Sequence, residues 1–408
     1  MSLADTHARI APKVPRPRTA PTGFEPGVKY DAGEPSVVTL ALKEIPDDEK
    51  QWRDEIKRVT TLDLPDHRRV EIQQVRYWGD PKDPMVYVRF GIRDRDHADG
   101  PAVDHAELVR VAKTNRRTPA TKTKTGRTRV TVLADPQIGK VDQHGGTPEL
   151  YNRLEDMLTQ HDQIVRETPC DDAVILDPGD LTEGFENTAQ QAHTNDLSFP
   201  EQLRHARVIL TNVVTRLAAR HRSTLVATVP SNHTQWRRGK DRLGKPGDDF
   251  GLETHRAVAD ALTLAKRGDI TFTMPDPWEE SLALTVRGAI IGLVHGHQAR
   301  SGQFPTWWAK QTHGDQPLAA ATIAVTGHYH SFSMQPTGAV DGRAKYWIQA
   351  PALDGGSSWW RHLSGDTSEP GIVTFTVDDE GNWDNLRVIR PRVKIPCLQA
   401  PAPDLGLA

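Results

Sequence analysis

The sequence lacks several features that would assign it to a common class of protein. It contains only two cysteines, Cys170 and Cys397, among 408 residues, too few for a disulfide framework or a thiolate metal site. No apolar run approaches the roughly 20 residues needed to span a bilayer. The N-terminal residues also lack the apolar core of a secretory signal. These absences favour a soluble protein in a reducing, cytoplasmic setting.

An excess of charge of one sign is also missing. The net charge is −3 at pH 7 and the mean hydropathy is −0.58, so the chain is polar without being strongly acidic or basic. A protein that binds polyanions through its overall charge would be clearly basic. Any binding of nucleic acid must therefore come from local basic patches.

The composition divides the chain into segments. Few apolar residues occur before about residue 35, and abundant Pro, Arg, Thr and Gly predict a disordered arm there. Alternating apolar residues then predict paired strands, and Asp47 to Val59 predicts a short charged helix. The predicted segments are an arm at 1–35, a small α+β domain of unknown role at 36–115, a basic linker at 116–128, a large domain at 129–392 and a C-terminal tail at 393–408.

The large domain alternates strands with helices before a run of strands. Its helix signals include a capping box at Ser198 to Glu201 and a helix start at Thr147. Strands that alternate with helices, followed by strands in succession, predict β-sheets with helices outside them.

Polar metal-binding side chains follow the apolar strands of this domain. Glycines at 179, 296 and 327 let the chain turn sharply where a strand ends. The carboxyl ends of strands in an α/β sheet gather ligands from distant parts of a sequence. The strand-end motifs are Asp135-Pro-Gln137-Ile-Gly-Lys140, Asp177-Pro-Gly-Asp180, Ser231-Asn232-His233-Thr234, His295-Gly-His297 and Gly327-His328-Tyr-His330.

This set of residues suits a centre of two divalent metal ions. Two such ions about 3.5–4 Å apart repel each other, so a shared carboxylate must lie between them. Carboxylate and amide oxygens combined with imidazoles suit Mn, Fe, Zn or Mg. The motifs therefore predict a two-metal site.

In their order, these motifs resemble those of the calcineurin-like metallophosphoesterase superfamily over about residues 128 to 390. The resemblance implies an α/β fold of two packed mixed β-sheets flanked by helices, in four layers α/β/β/α. It implies that one metal is bound by Asp135, Gln137, Asp180 and His330, and the other by Asp180, Asn232, His295 and His328. Asp180 would bridge the metals, and His233 would be the general acid.

Within the superfamily, Asp-Pro-Gln-Ile-Gly-Lys resembles the first motif of SbcD-like DNA-repair nucleases and their phage-encoded relatives. The resemblance implies DNA as the nucleic-acid partner and an ATPase partner, and a homodimer is left open. The expected mechanism is in-line attack on phosphorus by a hydroxide that bridges the two metals, with His233 protonating the departing oxygen.

Two residues depart from the family pattern. Gln137 replaces the usual histidine, which favours an oxygen-preferring ion, with Mn first and Mg, Fe or Zn as alternatives. Thr234 replaces the acid that usually follows the catalytic histidine, so another group must orient His233. Glu183 either faces substrate or is a solvated loop residue.

A basic loop follows the third motif, and we predict that it binds substrate. It would neutralise phosphates while Trp236 stacks on a base, although a charge run can also be an ordinary solvated loop. The predicted substrate-binding residues are Trp236, Arg237, Arg238, Lys240 and Arg242.

Three functions remain open from the sequence, because one metal core serves many substrates. The leading one is a metal-dependent phosphodiesterase that acts as a DNA nuclease, which the basic loop favours. The alternatives are a phosphoesterase for small molecules or phosphoproteins, and a scaffold that has lost catalysis through Gln137 and Thr234.

Overall fold

A computed structural model describes residues 24–31, 34–65, 68–80, 83–94, 109–110, 113, 124–142, 144–185, 194–239, 241–340, 342–358, 361–362, 365 and 368–392. The chain divides into two compact units, Met1–Ala102 and Val103–Ala408, and each is described by itself. Lys240 and the predicted C-terminal tail from residue 393 lie outside the described residues.

The first unit is an antiparallel sheet with one described helix. The strands run in the spatial order β1-β2-β4-β3. Asp48 begins the helix, because its carboxylate accepts the N–H of Gln51 at 2.8 Å. The elements are β1 (Gly27–Asp31), β2 (Glu34–Leu42), α1 (Glu49–Thr60), β3 (Arg68–Asp80) and β4 (Asp83–Asp94).

The predicted disordered arm is too long, because regular structure begins inside it. Residues 27–31 pair with β2 as strand β1. Phe24 is 3% exposed and lies beneath the guanidinium groups of Arg76 and Arg89, 5.3 and 4.7 Å from its ring centre. A single aromatic residue stacked against arginines gives no periodic signal, so composition alone did not reveal this segment.

The second unit combines helices with two larger sheets. Its helices are α2 (Thr147–Glu167), α3 (Phe199–Ala218), α4 (Phe250–Leu264) and α5 (Phe304–Gln311). Its strands are β5 (Arg127–Val132), β6 (Asp172–Asp177), β7 (Thr224–Thr228), β8 (Arg237–Arg238), β9 (Asp241–Arg242), β10 (Ile270–Thr273), β11 (Ser281–Val286), β12 (Ala289–Val294), β13 (Ile323–Thr326), β14 (Ser333–Val340), β15 (Arg343–Gln349), β16 (Ile372–Asp378) and β17 (Trp383–Ile389). In the described part of the chain, no helix is both long enough and apolar enough to cross a membrane.

Both large sheets are mixed. In the first, the order is β10-β7-β6-β5-β16-β17, with β10, β7, β6 and β5 parallel and the last two strands antiparallel. In the second, the order is β11-β12-β13-β15-β14, and the three central strands are parallel. Parallel strands bring their carboxyl ends to one edge of each sheet.

The two sheets pack face to face and helices cover their outer faces. The residues between the sheets are branched and apolar, as in Val132 and Leu176 of the first sheet and Leu293 and Val325 of the second. Helices α2, α3 and α4 cover the outer face of the first sheet, and α5 covers that of the second through Trp308. This arrangement confirms the predicted fold class, an α/β fold of two packed mixed sheets in four layers.

A buried polar cluster lies near the amino ends of the parallel strands. Arg129 is fully buried and donates to the Thr168 carbonyl at 2.7 Å. The ring of His161, also buried, lies with Nε2 3.0 Å from the Thr131 hydroxyl. Burial, reinforced by Arg129, lowers the pKa of His161 to about 3. The folded protein therefore keeps this imidazole neutral.

The neutral state of His161 predicts a loss of stability in acid. An unfolded histidine titrates near pH 6.5, so the unfolded chain binds more protons between about pH 6.5 and 3. The free energy of unfolding should therefore fall as the pH drops through that range. His161→Gln, which keeps a polar partner for Thr131, should reduce the fall by up to about 1.4 kcal/mol per pH unit. Urea denaturation at several pH values measures the free energy of unfolding, and His313→Gln, at an exposed position, is the control. If this free energy changes with pH equally in His161→Gln and in the wild type, the prediction is wrong.

Candidate metal centre

The predicted ligands lie at the carboxyl ends of strands from both large sheets. Asp135 and Gln137 follow β5, Asp180 follows β6, and Asn232 follows β7. The three histidines follow strands of the second sheet, His295 after β12 and both His328 and His330 after β13. Packing of one sheet on the other brings these ends together.

The backbone at these ligands is unusually strained. Left-handed φ angles are uncommon for residues other than glycine and cost on the order of 1–3 kcal/mol each. A surrounding structure must hold such residues in place, and they concentrate at functional sites. The predicted ligands with such angles are Asp135 (48°), Gln137 (44°), Asp180 (51°), His328 (68°) and His330 (58°).

Asp180 is at the middle of the cluster and is 1% exposed. Its carboxylate Oδ1 accepts the N–H of His233 at 3.0 Å, and Oδ2 lies 3.2 Å from Nε2 of His295. Burial would raise the pKa of Asp180, but the positive charge of His295 and His233 holds it well below the usual range. The carboxylate is therefore ionised and faces groups that could share a cation with it.

The second predicted metal position is closely assembled. His295 is completely buried, and its Nδ1 donates to the Pro178 carbonyl at 2.8 Å, which turns Nε2 towards Asn232 Oδ1, also 2.8 Å away. Metal-bound histidines are commonly oriented by such a carbonyl. One ligand atom each from Asp180, His295 and His328 lies within 4.8 Å of the others. Carboxylate, amide and imidazole donors therefore converge on one point.

The protonation of His295 indicates that this point attracts a cation. Burial would lower the pKa of His295, but Asp180 outweighs it and raises the pKa. A proton on Nε2 thus supplies positive charge between Asp180 Oδ2 and Asn232 Oδ1. A divalent ion would supply that charge instead, since metal ligands bind in their deprotonated form. The donor set fits such an ion.

The first predicted metal position is built around Asp135. Both of its carboxylate oxygens accept the N–H of His328, at 3.1 and 3.0 Å, and Oδ1 lies 3.9 Å from Nε2 of His330. Burial raises the pKa of Asp135 to about 8. A second carboxylate buried close to Asp180 is thus unfavourable as an anion, which also fits a metal site.

Gln137 is close to this position, but its amide oxygen already has a partner. Oε1 accepts a hydrogen bond from Nζ of Lys140 at 2.7 Å, and the same ammonium pairs with Asp354. Asp354 Oδ1 is 3.6 Å from Nδ1 of His330. Burial would lower the pKa of Lys140, but Asp354 outweighs it, so the ammonium stays charged. No local pattern predicts Asp354 at this position, because it is 214 residues from Lys140 along the chain.

His233, the predicted general acid, is oriented by Glu183. Its Nδ1 lies 2.8 Å from the Glu183 carbonyl and 3.3 Å from the carboxylate, while Nε2 lies 3.8 Å from Asp180 Oδ2. Burial would lower the pKa of His233, but Asp180 and Glu183 raise it to about 10. Glu183 is 5% exposed, so it is a buried partner of His233 and not a solvated loop residue.

Thr234 has a structural role beside the site. Its hydroxyl donates to Asp249 Oδ2 at 2.7 Å and lies 2.7 Å from the hydroxyl of Ser231. Asp249 also caps helix α4 by accepting the N–H of Leu252 at 3.0 Å. Thr234 therefore fixes the loop, and Glu183 supplies the carboxylate next to His233.

The neighbouring histidine and aspartate of the motifs have other partners. His297 Nε2 lies 3.1 Å from Nη2 of Arg242. Asp177 lies 3.2 Å from Nε2 of His255 and accepts the N–H of Gly179 at 2.8 Å. These contacts leave His295 and Asp180 as the residues of their motifs that face the predicted metals.

The predicted substrate loop forms a small hairpin of β8 and β9. Arg237 donates to the Asn232 carbonyl at 2.7 Å, and Arg242 pairs with Glu280. Both arginines thus help to hold the hairpin beside the ligands. Arg238 is exposed and Trp236 is 51% exposed, so these two side chains are available to a substrate.

Comparisons with known proteins give only distant similarities. No family model matches the chain, and no curated protein matches it. A predicted phosphoesterase from Streptococcus pneumoniae TIGR4 shares 11% identity, covering 64% of this chain and 87% of its own, with a TM-score of 0.25. A metallophosphoesterase from Sphaerobacter thermophilus shares 13% identity, covering 65% of this chain and 89% of its own, with a TM-score of 0.26. The calcineurin-like phosphoesterase YfkN from Bacillus subtilis shares 10% identity, covering 65% of this chain and 90% of its own, with a TM-score of 0.29. At this level of similarity, fold and site rest on the chain's own strands and side chains.

The central place of Asp180 predicts that metal binding depends on it. Asp180→Asn removes the negative charge that both metal positions share, so Mn²⁺ should bind at least about 100-fold more weakly. Isothermal titration calorimetry measures the change. Asp260→Asn, at an exposed position on α4, should leave binding unchanged. Mn²⁺ affinity equal to that of the wild type in Asp180→Asn would exclude the centre described above.

Proposed function

We propose that the chain is a metal-dependent phosphodiesterase that cleaves DNA. The observation that carries the proposal is the convergence of Asp180, Asn232, His295 and His328 around one point, with His233 beside it. Hydrolysis of a phosphate diester needs positive charge at the phosphate and a proton donor at the departing oxygen. The cluster offers a residue for each of these tasks.

The ligands would bind two divalent ions, with Mn²⁺ preferred. Asp135, Gln137 and His330 would bind the first, Asn232, His295 and His328 the second, and Asp180 both. When bound, the ions would neutralise charge on the phosphate and acidify the attacking water. The strained backbone at these residues supports the proposal, because it holds the ligands in position before any ion arrives.

His233 would protonate the departing oxygen. The Glu183 carbonyl accepts a hydrogen bond from Nδ1 of His233, which leaves Nε2 directed towards Asp180 and the metal positions. Asp180 and Glu183 raise the pKa of His233, so the ring carries the proton that it would donate at neutral pH. Glu183 acts as a positioning residue, because it fixes the ring through Nδ1.

The hairpin beside the site supports DNA as the substrate. Trp236 is 51% exposed and Arg238 is exposed on the same short hairpin. Trp278 is 74% exposed, and Lys245 Nζ lies 5.9 Å from the centre of its ring. The Gly247 N–H donates to the Pro277 carbonyl at 2.8 Å, which links the two loops. Exposed tryptophans beside cations suit the bases and phosphates of a DNA strand.

A catalytically inactive scaffold is the second candidate, and one observation favours it. The amide oxygen of Gln137 accepts from Lys140 and so is already engaged. If no phosphodiester or phosphomonoester is hydrolysed with any divalent metal, the scaffold is the correct reading. If only monoesters are hydrolysed, the proposed DNA substrate is wrong and the metallophosphoesterase chemistry stands.

Loss of His233 should lower activity in a way that depends on the leaving group. His233→Ala removes the proton donor, so the turnover of DNA in Mn²⁺ should fall by about 10²–10⁴-fold. Bis-p-nitrophenyl phosphate should be affected less, because nitrophenolate leaves without protonation. Rates are compared at equal metal content, with His313→Ala as the control. Equal losses on the two substrates would refute a role as general acid.

The exposed hairpin residues should contribute to DNA binding. In a His233→Ala background, fluorescence anisotropy measures the affinity for a labelled oligonucleotide at several salt concentrations. Arg238→Gln should weaken binding and reduce the salt slope by about one phosphate contact. Trp236→Ala should weaken binding by about 1–3 kcal/mol without changing the slope. Arg256→Gln, exposed on α4, is the control. Unchanged binding in both hairpin variants would remove the case for DNA.

A further inference from the structure

Lys140 places a buried ammonium group at the first predicted metal position. Its side chain is 11% exposed, and that of Asp354, with which it pairs, is 4% exposed. Nζ also donates to Gln137 Oε1 at 2.7 Å. One cation of the protein itself therefore holds an amide oxygen and a carboxylate that border this position.

The two metal positions differ in what their ligands already contact. At the second, Asp180, Asn232 and His295 face one another, and among the described residues no lysine or arginine nitrogen contacts their ligand atoms. At the first, the Gln137 oxygen binds an ammonium, and His330 Nδ1 faces Asp354, which the same ammonium pairs with. Among the described residues, an ammonium group contacts a predicted ligand atom at the first position alone.

An ion at the first position would compete with that cation. A metal bound to Gln137 Oε1 would share a neutral oxygen with Lys140, and two positive groups so close repel each other. A histidine at position 137 would have bound the metal through a nitrogen with a single lone pair. A lysine could not donate a hydrogen bond to that nitrogen once the metal was bound. The glutamine oxygen can accept from either cation, so it does not exclude the ammonium.

We propose that Lys140 is a built-in cation of the metal centre. It engages Gln137 and neutralises Asp354, so the centre binds one divalent ion tightly at Asp180, Asn232, His295 and His328. A second ion binds only weakly, at the position of Asp135, Gln137 and His330. The inference rests on the proposed metal centre and concerns the difference in affinity between its two positions.

Calorimetric titration with Mn²⁺, checked by the metal content of the dialysed protein, tests this inference. The wild type should bind one ion tightly and a second at least tenfold more weakly. Lys140→Met removes the competing charge and frees Gln137, so the second ion should bind at least tenfold more tightly than in the wild type. Lys140→Arg keeps the charge and should keep the difference between the two ions. Lys310→Met, exposed on α5, should match the wild type.

A second variant covers the case in which Lys140→Met fails to fold. The single substitution leaves the buried Asp354 without its cation, which is destabilising. Lys140→Met combined with Asp354→Asn removes both charges and releases Gln137. The affinities of the two Mn²⁺ ions should therefore again differ less than in the wild type. Circular dichroism establishes that each variant is folded.

The outcomes separate this inference from the proposed function. Two equally tight ions in the wild type would overturn the role of Lys140 and leave the metal centre intact. Weaker binding of the second ion in Lys140→Met than in the wild type would show that Lys140 orients Gln137 for the metal. That result would also overturn the proposed role of Lys140. Absence of any tightly bound ion in the wild type would overturn the metal centre and this inference together.

Discussion

The site depends on one ionised and buried carboxylate, that of Asp180. Ser231 holds its backbone by accepting the Asp180 N–H at 2.7 Å, and His233 and His295 face its oxygens. Ser231 is in turn joined to Asp249, which caps helix α4. The strained backbone of Asp180 is thus tied to a helix outside the sheet. A carboxylate can stay charged in such a place only where cations surround it, and this requirement explains why histidines gather there.

Much of the fold and of the site could be predicted from the sequence because the signals are local. A short apolar strand followed at once by glycine and polar residues marks both a strand end and the candidate ligands there, as at Asp180 and His295. Parallel pairing then brings such ends to one edge. The alternation of strands and helices likewise indicated the layers, and the packed sheets confirm them.

The remaining features could not be predicted because they depend on contacts between distant residues. Asp354 meets Lys140 across 214 residues, and Thr234 meets Asp249 through a turn that has no regular period. Glu183 is only three residues from Asp180, yet its exposure could not be inferred from a loop of mixed composition. The charge run of the hairpin was also ambiguous, since Arg242 pairs internally while Arg238 is exposed.

At each of the two positions that depart from the resembled motifs, a charged residue lies nearby. Gln137 stands where the resembled motif has a histidine, and its amide oxygen accepts a hydrogen bond from Lys140. Where Thr234 lacks a carboxylate, Glu183 places one 3.3 Å from His233. A site that had only lost function would be expected to shed its buried charges and backbone strain, because both destabilise the fold. This site retains both, which is what the proposed binding of a cation requires.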